Sequence, residues 1–232
     1  MPKAVILAAG RGTRMQQLTD ERPKPMLPLR GRPILEHLLD RLSSGGYTEA
    51  LIVTGYRAEL IEEHFRRYPL ALTFRRQPVL NGTATAALLA RDFAGRDPFL
   101  LAYADILTAP AALRGILDSL LAHPEADAAV GAIDVDDPFQ GAAVYEHDGV
   151  VTRIIEKPDK GTSTTRWNSA GFYAFRHSIF DELERVPLSP RGEYELTSAV
   201  AQLQERGRTL RLYPVVDSWR DIGRPEDLEA LA

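Results

Sequence analysis

The chain has 232 residues, with 28 Lys and Arg against 32 Asp and Glu, a formal charge of −4 and 44% hydrophobic residues. These values exclude disordered and fibrous classes, and the mildly acidic balance without a basic run argues against nucleic acid as the main partner. With no cysteine, disulfides, thiolate catalysis and Cys-ligated metals fall away together, and no apolar run reaches the roughly 20 residues that span a bilayer. In chain order, residues 4–7 read as a buried strand directly after Met1-Pro2-Lys3, without a signal-peptide pattern, so the expectation is a cytoplasmic chain free of the membrane. A glycine-rich loop follows over 8–15. Apolar residues at 34, 35, 38, 39 and 42 predict a helix over 33–42, with proline in its first turn and Gly45-Gly46 as its stop. Next come strand 50–53, helix 57–65, strand 70–74, an Ala-rich helix over 83–89, and strand 99–102 running into Tyr103-Ala104-Asp105. A helix over 111–121 and a strand over 128–133 close the first half. In the second half, 142–145, 150–156 and 170–175 read as strands, 179–183 and 194–204 as helices, and 209–216 as a strand, with a last helix opening at Pro225.

Strands alternating with helices imply βαβ units and ligands at the carboxyl ends of the strands. No Pro/Gly/Ser linker and no repeat interrupts the chain. The prediction is therefore one α/β domain over 1–232, a Rossmann-like mixed, mainly parallel sheet flanked by helices. Residues 1–135 form its first half, and 136–232 add a mixed-sheet subregion.

Leu7-Ala8-Ala9-Gly10-Arg11-Gly12-Thr13-Arg14-Met15 sits directly after the first strand. Small residues and two glycines let backbone N–H groups approach phosphate, and Thr13 and Arg14 add side-chain donors. Met15 stands where a dinucleotide fingerprint needs its third glycine, and no Gly-Lys-Ser/Thr follows, so both of those motifs are excluded. Downstream, Arg22-Pro23-Lys24-Pro25-Met26-Leu27-Pro28 is stiffened by proline, which holds Lys24 at a set distance from the loop. The chain carries 24 arginines and only four lysines, Lys3, Lys24, Lys157 and Lys160. A lysine kept inside a motif is then informative, because ammonium and guanidinium are not interchangeable. A solvated turn is the plain reading of Lys24, and a polyphosphate clamp with Arg14 is the favoured one.

The paired loop and Pro-Lys-Pro motifs resemble those of the sugar-1-phosphate nucleotidylyltransferase family, and later blocks keep the family order nearly end to end. Gln17 departs from the pattern, where the family carries proline. The resemblance implies that an NTP and a sugar-1-phosphate combine with release of pyrophosphate, that 1–135 is the nucleotide half, and that 136–232 binds the sugar phosphate. It implies Arg14 on the departing phosphates and Lys24 on the reacting ones, as the catalytic pair. Leu7, Ala8, Ala9, Gly10, Gly12 and Thr13 would join Arg14 in nucleotide binding.

Gln77-Pro78-Val79-Leu80-Asn81-Gly82-Thr83 follows a strand and opens a helix. A side-chain amide offers the donor and acceptor that a base edge needs, and glycine lets a base lie on backbone; Asn81 as a helix cap is the plain alternative. By resemblance Gln77, Gly82 and Thr83 contact a pyrimidine, which favours UTP or dTTP. Asp105 at a strand end, and Asp221 in Trp219-Arg220-Asp221-Ile222-Gly223, supply hard oxygen donors suited to Mg²⁺, and the resemblance assigns these two to the metal. Glu156-Lys157-Pro158 can accept from sugar hydroxyls and pair with a phosphate monoester, and Gly141 would line the sugar pocket. In Asn168-Ser169-Ala170-Gly171-Phe172-Tyr173, Ser169 stands where the family's asparagine stands and Asn168 one place earlier. Neighbouring strand residues face opposite ways, which leaves open which of the two meets the sugar. Asp134, Asp136 and Asp137 read as a solvated turn, and the five histidines show no ligand or triad spacing.

The implied partners are small molecules, with a homo-oligomer compatible. Three alternatives stand beside the main reading. One is a CTP-dependent enzyme acting on phosphocholine or a polyol phosphate. Another is a GTP-dependent mannose- or heptose-1-phosphate guanylyltransferase. The third is a non-catalytic nucleotide-sugar-binding regulator, which would predict damaged catalytic positions, whereas Arg14, Lys24, Asp105 and Asp221 are all present.

Overall fold

The computed structural model describes residues 1–231. In chain order it runs β1 (Lys3–Ala8), a short hairpin of β2 (Pro28–Leu29) and β3 (Arg32–Pro33), α1 (Ile34–Ser44), β4 (Glu49–Thr54), α2 (Ala58–His64) and β5 (Ala71–Arg76). Then come α3 (Thr83–Leu88), α4 (Arg91–Ala94), β6 (Phe99–Tyr103), β7 (Ile106–Thr108), α5 (Pro110–Ala122) and β8 (Ala126–Asp134). The second half adds β9 (Ala142–His147), β10 (Val150–Glu156), β11 (Trp167–Phe175), α6 (Ile179–Leu183), α7 (Leu196–Glu205), β12 (Thr209–Pro214), β13 (Trp219–Asp221) and α8 (Pro225–Glu229).

Nine strands form one sheet in the order β5-β4-β1-β6-β11-β8-β12-β10-β9, so both halves of the chain share it. The first four are all parallel, as the βαβ rhythm predicts. Beyond β6 the sheet is mixed: β11 runs antiparallel to β6 and β8, β12 parallel to β8, and β10 antiparallel to β12 and β9. The chain fills positions on one side of β1 before returning to the other side at β6. That reversal is a topological switch point, where α/β sheets open a crevice at their carboxyl ends.

The two-residue alternation of β1 feeds two cores. Ala4, Ile6 and Ala8 pack with α1 and α5 on one face, while Val5, Leu7 and Ala9 pack with α3, α6 and α7 on the other. In α1 the apolar spacing buries Ile34, Leu35, Leu38, Leu39 and Leu42, a helical stripe facing the sheet. The predicted helix over 194–204 begins instead at Leu196, because Glu195 is extended (φ −94°, ψ 132°) as the chain clamps onto Asn81 through Tyr194 N–H at 2.9 Å. β11 starts at Trp167, three residues before the predicted strand. Among the described residues, no helix is long and apolar enough to cross a membrane.

Candidate active site

A cleft of about 1120 Å³ opens over the carboxyl ends of β1, β5 and β6 and continues across to β10 and β11. Every residue singled out in the sequence for nucleotide, metal or sugar phosphate lines it.

The glycine loop leaves β1 with Tyr56 N–H bonded to Ala9 O at 2.9 Å, and Gly12 turns it in the left-handed region (φ 73°, ψ 44°). A Cβ on Gly12 would lie 2.7 Å from Lys24 Cβ. Glycine is therefore required there twice, for the backbone turn and for the close approach of the lysine stem. Lys24 sits in a single 3₁₀ turn that also contains Pro25, closed by Met26 N–H on Pro23 O at 2.8 Å. The structure rejects the solvated-turn reading: the Lys24 side chain is only 9% exposed, and its Nζ donates to Asp105 Oδ2 at 2.5 Å.

Asp105 reaches this position because Ala104 N–H bonds to Leu7 O at 3.1 Å, carrying the β1–β6 pairing one residue past the strand. Asp221 arrives from the far end of the chain on a two-stranded ribbon, β13 antiparallel to β7, with Asp221 opposite Ile106. Ile222 N–H closes the ribbon onto Asp105 O at 3.0 Å. Burial, then the neighbouring Asp105 carboxylate, pushes the Asp221 carboxyl up to about 6, against the pull of Lys24 and Arg14. The Arg14 guanidinium lies beside Gly223, next to Asp221. Among the described residues no three His, Asp or Glu side chains cluster to hold a metal by themselves. The pair Asp105 and Asp221 supplies carboxylate oxygens only, so a cation there needs further oxygens from a ligand.

Gln77 is fixed at the end of β5 by its N–H on Thr54 O at 2.8 Å, and it is buried. Its Nε2 donates to Gly82 O at 3.0 Å and to Thr85 Oγ1 at 2.9 Å. A carbonyl accepts only, so the amide orientation is set and Oε1 remains as an acceptor. Gly82 is needed because a Cβ would fall 2.2 Å from Tyr194 O. Residues 81–84 thus clamp onto 194–196, with Ala84 N–H on Tyr194 O at 2.9 Å and Leu196 N–H on Thr83 Oγ1 at 2.9 Å. Asn81 does not cap the helix, since its Oδ1 accepts from the Thr85 hydroxyl at 2.6 Å and Gly82 is the flanking residue.

At the other end of the cleft, Glu156 Oε2 accepts from Thr197 Oγ1 at 2.8 Å and Oε1 from Arg191 Nη2 at 3.1 Å. Arg191 also holds Glu195 through Nε and Nη2 at 3.0 and 2.9 Å. Lys157 turns out of β10 with φ 43°, its N–H bonded to Gly141 O at 2.7 Å, and its side chain is exposed toward the cleft mouth. Gly141 has no room for a Cβ, which would lie 2.3 Å from Asn168 Oδ1.

Alternation on β11 predicts Asn168 and Ser169 on opposite faces, yet both line the cleft. Both are in regular register with β8, which breaks only beyond them, between Ser169 and Tyr173, with Gly171 at φ 76° inside the break; the cleft meets Asn168 where it lies against Gly141 and Ser169 where it lies beside Tyr173. Ser169 Oγ pairs with the Tyr173 hydroxyl at 2.7 Å, and Asn168 Nδ2 donates to Ser169 O at 2.9 Å. Burial pushes the Tyr173 phenol up to about 12 and raises that of Tyr103 as well, so both stay neutral hydroxyls near pH 7. Asp134 and Asp136 do pair with Arg166 at the surface, but Asp137 turns inward and accepts from Gly161 N–H at 2.8 Å.

Sequence reasoning passed over Arg191, Glu195 and Thr197. The available signal was the i, i+4 spacing of Arg191 and Glu195, and buried polar residues at the start of an otherwise apolar helix face.

A switch-point crevice with a glycine loop, a buried lysine and two carboxylates defines a class: an α/β protein built to hold a polyphosphate beside a second ligand. The comparisons with known proteins narrow the class. The chain belongs to the nucleotidyl transferase family, whose sequence model matches residues 3–232, and within it to the sugar-1-phosphate nucleotidylyltransferases. It is 36% identical over 233 residues to the UTP–glucose-1-phosphate uridylyltransferase AglF of Haloferax volcanii, covering 97% of this chain and 93% of the relative. It is 35% identical over 226 residues to the bifunctional protein GlmU of Methanococcus maripaludis, covering 97% of this chain and 52% of the relative. The chain thus spans about half the length of the GlmU relatives it matches. Among solved structures, a UDP-glucose pyrophosphorylase complexed with UDP-glucose superposes with a TM-score of 0.90 at 21% identity, covering 100% of this chain and 97% of that one. A UTP-bound pyrophosphorylase of Acinetobacter baumannii gives 0.82 at 22%, covering 100% and 92%. At these identities the likeness is one of fold.

Proposed function

We propose that the protein joins UTP or dTTP to a hexose-1-phosphate, giving a nucleoside-diphosphate sugar and pyrophosphate. The observation that carries the reading is a single cleft containing, in order, Gln77, the glycine loop, the Lys24–Asp105–Asp221 cluster, and Glu156 with Arg191. A nucleotide on the first part and a sugar phosphate on the last would meet at the middle.

An oxygen of the sugar-1-phosphate forms a bond to the α-phosphorus of the NTP. The bond from that phosphorus to the α–β bridging oxygen breaks, and its electron pair leaves with pyrophosphate. The monoester is already anionic near neutral pH, so no side chain need act as nucleophile, and positioning with charge neutralisation does the catalysis. Lys24 keeps donors beyond the one used on Asp105 and would bind the reacting phosphate. Arg14 and the loop amides would hold the departing end. Glu156, held by Thr197 and Arg191, would accept from sugar hydroxyls, and the exposed Lys157 ammonium would pair with the sugar phosphate. The raised carboxyl of Asp221 beside Asp105 is what a cation would relieve, and Mg²⁺ held by these two with phosphate oxygens would neutralise charge on the departing group.

The base preference rests on Gln77. Both amide protons are engaged, leaving Oε1 to accept. Uracil and thymine present an N3–H donor, whereas cytosine presents a lone pair there, so the site attracts the former and repels the latter. The name of the Haloferax volcanii relative, a UTP–glucose-1-phosphate uridylyltransferase, supports the same choice. The test is pyrophosphate release with Mg²⁺ over a grid of four NTPs and a panel of phosphorylated acceptors. UTP or dTTP with a hexose-1-phosphate is the expected pair. Release only with CTP and a non-sugar phosphate, or no release at all, overturns the reading.

A further inference from the structure

The glycine loop has two sides. Its inner side lines the cleft, and its outer side walls a second cavity of about 390 Å³, formed by Arg11, Thr13, Gln16, Gln17, Thr19 and Asp20. Arg11 and Thr13 belong to both. This cavity contains Gln17, where the family carries proline, so the exchange adds a side-chain amide and a backbone N–H that proline lacks. Gln16 stands in a rare backbone conformation (φ 53°, ψ −132°) beside it.

Arg11 is the cation shared by the two spaces. Its guanidinium lies over the Tyr56 ring, 5.4 Å from the centroid, with Arg57 also against that ring at 5.9 Å. The platform is fixed at both ends: Tyr56 N–H bonds to Ala9 O at 2.9 Å and its hydroxyl donates to Asp20 O at 2.8 Å. Stacking leaves the guanidinium edge free to bind an anion. Among the described residues the one acid lining the cavity is Asp20, at a loose 3.6 Å from Arg11, with both side chains more than half exposed. An exposed pair of that kind is worth little, so a polyanion would displace Asp20 from Arg11.

Resting on the function proposed above, we infer that Arg11 and this outer cavity form a pyrophosphate-receiving site, which takes the leaving group as it departs from the cleft. Lys24 stays with the reacting phosphate and Arg14 with the departing end inside the cleft, while Arg11 guides the product outward. Arg11 and Asp20 then act with opposite signs, which a merely structural role would not produce.

The experiment measures the pyrophosphate KM in the reverse reaction, and pyrophosphate binding by calorimetry with Mg²⁺, for the parent, Arg11→Gln, Arg11→Lys and Asp20→Asn. Loss of one charge-assisted hydrogen bond at a half-exposed site predicts about a tenfold rise in pyrophosphate KM for Arg11→Gln. Arg11→Lys should recover part of the loss, and Asp20→Asn should lower the KM several-fold. The KM of the sugar-1-phosphate in the forward direction should stay within about twofold throughout. An unchanged pyrophosphate KM in Arg11→Gln, or an equal rise for both ligands, overturns the inference. If the parent shows no turnover, the functional reading fails by itself. Calorimetry still decides this site: pyrophosphate binding weakened in Arg11→Gln supports it, and binding that is absent or unchanged between parent and variant refutes it.

Discussion

Gly12→Ala tests how the glycine loop and Lys24 are locked together. A Cβ at φ 73° costs about 1–2 kcal/mol for the left-handed backbone, offset by part of the 0.4–1 kcal/mol that alanine gains through a less free unfolded chain. The same backbone penalty applies to Gly31→Ala, where φ is 78° and nothing lies within 4 Å of the added Cβ. Gly12 differs by one contact: its Cβ would sit 2.7 Å from Lys24 Cβ, so the lysine stem must move by 0.7 Å to reach an ordinary separation of 3.4 Å (3.4 − 2.7). That motion drags an ammonium whose partner Asp105 is only 2.5 Å away. Misplacement on the order of 1 Å at a reacting centre costs about 10²-fold in rate. Thermal melts should therefore show both variants lowered by a few degrees, at about 2–4 °C per kcal/mol for a chain of this size, with Gly12→Ala the lower. In a pyrophosphate-release assay Gly31→Ala should keep its kcat, and Gly12→Ala should lose about 10²-fold. Equal melts together with a Gly12→Ala kcat within threefold of the parent would refute the coupling.

Lys24→Ala should lower kcat by about 10²–10³-fold, the usual cost of losing one preorganised charge stabiliser; full turnover in that variant would remove the lysine from the mechanism. Glu156→Gln should raise the sugar-1-phosphate KM by about tenfold, because a hydrogen bond to a charged acceptor is lost, while the NTP KM hardly moves; initial-rate kinetics with each substrate varied separates the two. Gln77→Ala should cut the preference for UTP over CTP by about tenfold in kcat/KM, as the acceptor for N3–H disappears. The Asp221 carboxyl, pushed up to about 6 in the fold, holds a proton that the unfolded chain has released by then. Its contribution to stability is therefore lost as pH rises from about 4 to about 6, and stays lost above. Metal-free Asp221→Asn should gain on the parent in melting temperature over that interval, and Mg²⁺ should stabilise the parent more at pH 7.5 than at pH 5; a gap that does not change with pH defeats the assignment.

Much of the fold can be read from the sequence where an element is long enough for its pattern to repeat. The α1 stripe, the buried run of β1 and the Ala-rich α3 fall within a residue or two of their predicted ends. The loop motif and Gln77 are legible because each sits where a strand stops, and Lys24 because prolines flank it on both sides. Asn168 and Ser169 show where such reasoning stops. Strict alternation separates them, but both line the cleft, which meets this end of β11 between Gly141 and Tyr173. The turn before it gives no period to count.

The two carboxylates of the cleft make the sharper case. Asp105 and Asp221 lie 116 positions apart (221 − 105), and what joins them is a ribbon of two three-residue strands, β7 and β13. Three residues hold one and a half periods of alternation, too few to distinguish a strand from any apolar turn. Their pairing is decided only when β6 has placed Asp105 beside the glycine loop and the last turn of the chain has come back across the sheet. The sheet order explains why that return is available: β11 lies against β6, and Trp219 Nε1–H donates to Ala170 O at 2.8 Å, pinning the ribbon to the bulged strand. The strand that carries Asn168 and Ser169 to the cleft therefore also anchors the segment carrying Asp221. A change at Gly171 should disturb both ends of the cleft together, since an added Cβ there would meet Ile106 Cγ1 at 2.8 Å, inside the ribbon itself.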